Sequence, residues 1–267
     1  MTPSVIPGYN MSMPPAKKYF EDLYRRRNRP EFIHPDPLEF VWRYKKPGDM
    51  EIAGIVAASL AYGNVKQILK SVEKVLGPMG RSPRAFLLAA RAKDLERLYS
   101  GFKHRFTAGR EMIVFLLALK AALAKHGSLN KAFVSVMTPG APNYEEAIYR
   151  FVSLVFPGLC TPTLIPCPAH KSSFKRLNLF LRWMVRRDSV DPGPWKGVPA
   201  SGLIIPLDTH MHRVSREMGV TRRKDTSMRT AAEITAFFAR LEPADPVKYD
   251  FCLTRAGIRK EKPEPSI

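Results

Sequence analysis

Cysteine is scarce in this chain, with thiols only at positions 160, 167 and 252. An odd and low count excludes a disulfide framework. A structural zinc site built from thiols alone wants four ligands, so Cys160 and Cys167 read as ordinary loop thiols, and no metal and no cofactor is expected. No uninterrupted apolar run is long enough to span a bilayer. Residues 1–15 are polar and proline-rich and lack the apolar region of a secretory signal, so a cytoplasmic location is expected. No alternating strand pattern of useful length appears, and no internal repeat. Acidic residues are also few: 24 against 43 lysines and arginines, a formal net charge of +19. Such an excess is information about partners rather than fold, and it favours a polyanion, either nucleic acid or an anionic membrane surface.

Apolar residues make up 45% of the chain, which marks a globular protein. Its length suffices for one large domain or two small lobes with a real core. Helical periodicity runs through residues 17–29, 49–60, 65–76, 83–92, 112–126, 144–155, 171–187 and 226–241, with a short C-terminal helix after Asp245-Pro246. Residues 49–60 are apolar nearly all round and read as a buried helix. The fold class that follows is all-α, with short turns between helices. Residues 1–15 are expected to be a tail, 16–260 a single domain and 261–267 a second tail. The run Arg25-Arg26-Arg27 is either a solvated face or a polyanion contact.

The informative stretch is 205–219. An apolar lead-in breaks into a helix at Asp208, whose carboxylate suits an N-cap. Met211, Val214 and Met218 then give the helix one apolar face, and Gly219 suits its end. Arg213, Arg216, Arg222, Arg223 and Lys224 follow closely. A plain cap explains Asp208; so does a carboxylate held beside an anionic substrate. In the helix of residues 171–187, Lys175, Asn178, Arg182 and Arg186 step by three or four along one polar stripe. That stripe is either a solvated face or a track for phosphates.

Leu207-Asp208-Thr209-His210-Met211-His212-Arg213-Val214 resembles the Val-Asp-Thr-His-x-x-Arg-Val signature of the helix-hairpin-helix base-excision DNA glycosylases, the superfamily of endonuclease III. Lys175-Arg176-Leu177-Asn178-Leu179-Phe180-Leu181 is similar to the helix that follows their hairpin, and residues 249–258 to their closing helix. The likeness extends over about residues 36–260 and is specific at Asp208.

It implies a two-lobed helical fold with damaged or abasic DNA in the cleft, and a monomer associated with the nucleoid. Asp208 would stabilise positive charge on the sugar as a flipped-out base departs, as carboxylates do in sugar chemistry generally, or activate the nucleophile. Lys175 stands at the position of the lysine that attacks the sugar in members with lyase activity. A lysine attacks as the neutral amine, which burial or neighbouring cations favour. Lys171, Ser172, Ser173, Asn178, Arg182, Trp195, Lys196, His210 and Arg213 are expected to face DNA. The departures are a hairpin segment without glycine, 170–174, and a long connection between Lys175 and Asp208. The extra length, about 188–202, is either a lid carrying Trp195 to stack on a base or a surface loop. Lys196 is a second candidate nucleophile. The four-cysteine iron–sulfur loop of many relatives is not expected here.

Two other readings use the same residues. Asp208-Thr209-His210-Met211-His212 also resembles the Asp-x-His-x-His start of metal-dependent hydrolases, with His210 and His212 as ligands. That motif opens a barrel of roughly 250 residues, and no histidine follows His212. The third reading is a non-catalytic nucleic-acid-binding protein on the glycosylase fold.

Overall fold

A helix that is apolar on every side has no solvent face to offer. In the computed structural model, residues 13–159, 163–166 and 172–259 are described, with the side chains of 13–16 and 256–259 excepted. Helix α2 (Pro47–Ser59) lies at its centre, with Ile52, Ala53, Ile55, Val56, Ala57 and Ala58 wholly buried. Its main partner is α9 (Lys175–Val185). A Cβ on Gly54 would fall 2.8 Å from Met184 Cε and 3.3 Å from the Phe180 ring, so a glycine is what lets the two helices close up.

Two acids on α2 organise its surroundings. Residues two apart on a helix point in different directions, and Asp49 and Glu51 cap different neighbours. Asp49 accepts from Ser82 Oγ at 2.6 Å and the Arg84 amide at 3.1 Å, at the start of α4 (Pro83–Ala89). Glu51 accepts from the amides of Leu129 and Asn130 at 3.2 and 2.8 Å, at the start of α7 (Leu129–Val134). Each carboxylate satisfies N–H groups that a helix cannot bond internally. Burial pushes the Glu51 carboxyl up, against the pull of those amides.

Around this centre stand α1 (Met13–Arg27), α3 (Val65–Leu76), α5 (Ala92–Tyr99), α6 (Gly109–His126), α8 (Glu145–Val155), α10 (Thr209–Glu217), α11 (Met228–Leu241) and α12 (Asp250–Arg259). The buried apolar side chains form one connected cluster from Phe20 to Leu253. The all-α expectation is met, and α3 falls on its expected bounds. Helices α5 and α7 were not anticipated, nor was a two-stranded hairpin, β1 (Lys103–His104) and β2 (Thr107–Ala108). Segments this short carry too few turns for a period to show. No helix among the described residues is long and apolar enough to cross a membrane.

The arginine run at the end of α1 divides. Arg25 and Arg26 are exposed, but Arg27 is buried and donates to the Cys252 carbonyl at 3.4 Å. Arg255 in α12 binds Asp36 at 2.7 Å and the carbonyls of Phe32 and Ile33 at 2.8 and 3.1 Å. It thereby ties the segment after α1 to the last helix.

The most consequential contacts are ionic. Arg182 and Arg186 are 3% and 4% exposed, one turn apart along α9. Arg182 bonds Asp191 at 3.2 Å and Asp250 at 2.5 Å. Arg186 bonds Asp191, Asp188 at 2.8 Å and Asp245 at 2.8 Å. Asp188 also accepts from Tyr24 at 2.9 Å. One network thus joins α1, α9, the loop after α9 and the start of α12. Removing a partner from a buried pair strands the remaining charge. We predict that Asp191→Ala lowers unfolding stability by about 3–5 kcal/mol, read from urea midpoints. Arg91→Ala, at the surface Arg91–Asp94 pair, should leave the midpoint close to that of the wild type.

Candidate functional site

Asp208 takes extended backbone angles and caps α10, its Oδ1 accepting from the Met211 amide at 2.7 Å. The apolar face of α10 is set by Met211, wholly buried, with Val214 and Met218 half-buried. Gly219 ends the helix in the left-handed region, at φ +71°. The Asp208 side chain is half-buried, neither sealed in nor fully solvated. Its second oxygen has no hydrogen-bond donor among the described residues. Helix α10 packs on α12, which sets Asp208 beside Asp250. Burial pushes the Asp250 carboxyl up to about 6; Arg182 opposes this and the charge of Asp208 reinforces it.

Lys175 is the first residue of α9 and is half-buried. The residue before it, Phe174, sits in the left-handed region at φ +48°. A bulky residue is uncommon there, yet Phe174 is 1% exposed and packs edge-on against Tyr149. The chain therefore makes a glycine-type turn just before the lysine although it carries no glycine. Ser172 Oγ accepts from the Phe174 amide at 3.3 Å, and Ser173 is buried. Lys171, proposed as a phosphate contact, lies outside the described residues, as do Cys160, Cys167 and His170.

Several expected DNA contacts are corrected. Arg182 belongs to the buried ion network and presents no cation to a strand. Asn178 is 1% exposed and donates to the Ser173 carbonyl at 2.9 Å, bracing the turn that precedes α9. The stripe through Lys175, Asn178, Arg182 and Arg186 faces inward for most of its length. Trp195 is 6% exposed, between Phe133 and Phe180 at ring distances of 5.5 and 5.4 Å. It anchors the 188–202 connection rather than offering a stacking face. The same connection is pinned by Trp42 Nε1 on the Val190 carbonyl at 2.7 Å and Tyr144 on the Pro199 carbonyl at 2.7 Å. It is packed loop, not lid.

Lys196 is exposed beside the start of α7, its backbone bonded to the Asn130 side chain. His210 is half-buried and Arg213 exposed on α10. His212 Nε2 lies 3.0 Å from the Arg223 carbonyl. Among the described residues no three His, Cys, Asp or Glu side chains are placed to hold a metal ion. The barrel that the Asp-x-His-x-His reading requires is not the fold observed.

The neighbourhood of Lys175 includes contacts that the sequence does not display, although Arg176 is readable there as a cation beside the lysine. Arg176 donates to the carbonyls of Ser59, at 2.8 Å, and Thr163, and lies 5.2 Å from the Tyr62 ring. Tyr62 packs edge-on to His104 at 4.6 Å and bonds Thr107 Oγ1 at 2.6 Å. So the start of α9 and the β1–β2 hairpin share one side of the molecule. The break at Tyr62-Gly63-Asn64 was visible as an interruption between helices; its aromatic role was not.

The Asp250 shift has a testable sign. Its folded pKa of about 6 lies above the ordinary carboxyl value of 3.8, so the folded state holds the proton more tightly. Stability is then present at low pH and is lost as pH rises between those values, reaching a plateau above 6. Asparagine imitates the protonated form. Between pH 4.5 and 6.5 the stability of the wild type relative to Asp250→Asn should fall by about 1–2 kcal/mol, measured by urea unfolding at each pH.

No curated protein and no solved structure matches the chain. One family model matches, described as "Protein of unknown function (DUF2400)", over residues 36–259. That span runs from Asp36, which caps the short turn Pro37–Phe40, through α12, and takes in Asp208, Lys175 and the arginines and aspartates of the ion network. The chain belongs to the DUF2400 family.

Proposed function

We propose that this protein is a DNA base-excision glycosylase, cleaving the N-glycosidic bond of a damaged, flipped-out base, with its helices in the two-lobed glycosylase-like arrangement. The observation that carries the reading is Asp208: a half-buried carboxylate at a helix start, one oxygen used as the cap and the other without a protein donor among the described residues. The capped oxygen fixes the orientation of the group. The other oxygen is directed by that constraint and is available to meet the charge that develops on a sugar. Electrostatic stabilisation of this kind needs a group already in position before the reaction. The surplus of +19 supports a polyanion as the partner.

Lys175 is the nucleophile of a lyase step in this proposal. The left-handed turn at Phe174 and the Asn178–Ser173 bond hold its backbone at the head of α9. A second reading, DNA binding without cleavage, draws support from the inward-facing Asn178 and Arg182, which leave fewer polar groups for substrate.

The test is a panel of duplexes, each with one lesion or an abasic site, scored for base release and for borohydride-trapped adducts. Asp208→Asn should slow base release by about 100-fold or more, with affinity for the duplex little changed. Lys175→Ala should abolish the trapped adduct. If wild-type protein releases a base and Asp208→Asn matches its rate, the catalytic assignment is wrong. If wild type binds the panel and releases nothing, the non-catalytic reading replaces it.

A further inference from the structure

The hairpin is small, but it is built with unusual care for its size. His104 is 2% exposed, with Nδ1 2.9 Å from Ser71 Oγ on α3 and Nε2 3.1 Å from the Tyr62 carbonyl. Tyr62 Oη reaches the His104 carbonyl at 3.0 Å and Thr107 Oγ1 at 2.6 Å. Both strands are therefore fastened to the α2–α3 junction by side chains rather than by a long ladder. All of this holds out a tip of two residues, Arg105 and Phe106.

That tip is not shaped for packing. Phe106 is 76% exposed, whereas the other large apolar side chains at the surface are about half-covered or more. Leaving a phenyl ring in water forgoes the free energy of burying it. Arg105 takes a left-handed backbone at φ +50°, and its guanidinium lies 5.5 Å from the Phe106 ring. Its side chain also lies over Gly63, where a Cβ would come within 2.7 Å. Alongside runs α3, whose Lys66, Lys70 and Lys74 are exposed and recur every fourth residue, about 6 Å apart along the axis. The acid in that row, Glu73, is taken up by Arg43 at 2.5 Å. None of the three lysines has an acidic partner among the described residues. A planar ring beside a row of unpaired cations is the combination that binds a strand with an exposed base.

We infer that the hairpin tip and α3 form a DNA-binding surface on which Phe106 stacks against an unpaired base, with Arg105 beside it and Lys66, Lys70 and Lys74 along the phosphates. This rests on DNA being the partner, as proposed above, and not on the chemistry assigned to Asp208. It also supplies the stacking aromatic that Trp195 does not, on the side of the molecule where α9 begins.

The experiment uses the full chain and two labelled duplexes of one sequence. One is fully paired; the other carries 2-aminopurine opposite a stable abasic analogue. Because Phe106 is exposed, Phe106→Ala should fold normally. It should weaken binding of the abasic duplex about tenfold and leave the paired duplex within about twofold. Wild type and Phe106→Trp should quench 2-aminopurine fluorescence, and Phe106→Ala should not. Replacing the three lysines with glutamine should weaken both duplexes and reduce the salt slope by up to about three. The inference is overturned if Phe106→Ala binds the abasic duplex and quenches like wild type. Base release dependent on Asp208 in that same protein would leave the glycosylase reading standing alone. Phe106-dependent binding without base release would uphold this surface and remove the chemistry. Failure of wild type to bind either duplex overturns both.

Discussion

Everything that positions Asp208 depends on how two buried guanidiniums are neutralised. Arg182 and Arg186 project from α9 into a space they share with Asp188, Asp191, Asp245 and Asp250. Desolvating such charges is costly, and the attraction between them offsets the cost only with good geometry and full hydrogen bonding. Here most guanidinium nitrogens have a carboxylate, and Asp191 is shared between both arginines. The network fixes α9 relative to α12, and α12 in turn carries α10 and its capping aspartate. Four carboxyl groups face two guanidiniums, so negative charge is in surplus. Burial is the main reason Asp250 titrates high, and the charges of Asp208 and Asp191 add to it against the pull of Arg182.

Much of the scaffold was legible in the sequence because it rests on local rules. The all-round apolar pattern of residues 52–58 required a central helix, and a central helix is what α2 is. Asp208 before Met211, Val214 and Met218 required a capped amphipathic helix, and its Oδ1 makes the capping bond. What could not be read was which face of α9 points inward. Lys175, Asn178, Arg182 and Arg186 make the same step pattern on a solvated stripe and on a buried one. The partners that decide between them sit at 188, 191, 245 and 250, and only the folded chain brings them together. Trp195 fails for a related reason: a tryptophan in a proline- and glycine-containing stretch looks free until Phe133 and Phe180 are seen on either side.

The turn before Lys175 reaches a left-handed backbone without a glycine. Glycine is the usual way to reach φ above zero, since it carries no Cβ to clash. Phe174 reaches it instead by burying its ring against Tyr149, and Asn178 holds the preceding carbonyl. Packing of that ring offsets a conformation that costs about 1–3 kcal/mol.

The distribution of charge between interior and surface bears on what the net charge means. Among the described residues four arginines are buried, Arg27, Arg182, Arg186 and Arg255, and no lysine is. This is the division their chemistry favours: a planar, weakly hydrated guanidinium can be satisfied inside by several acceptors, while a compact ammonium holds its water. Five carboxyl groups, of Asp36, Asp49, Glu51, Asp191 and Asp250, are buried with them. Among the described residues the buried charges therefore nearly cancel, and their positive excess stands on the outside. As built, the fold hides its most versatile cations for structure and leaves lysines such as Lys66, Lys70 and Lys74 to set the field at its surface.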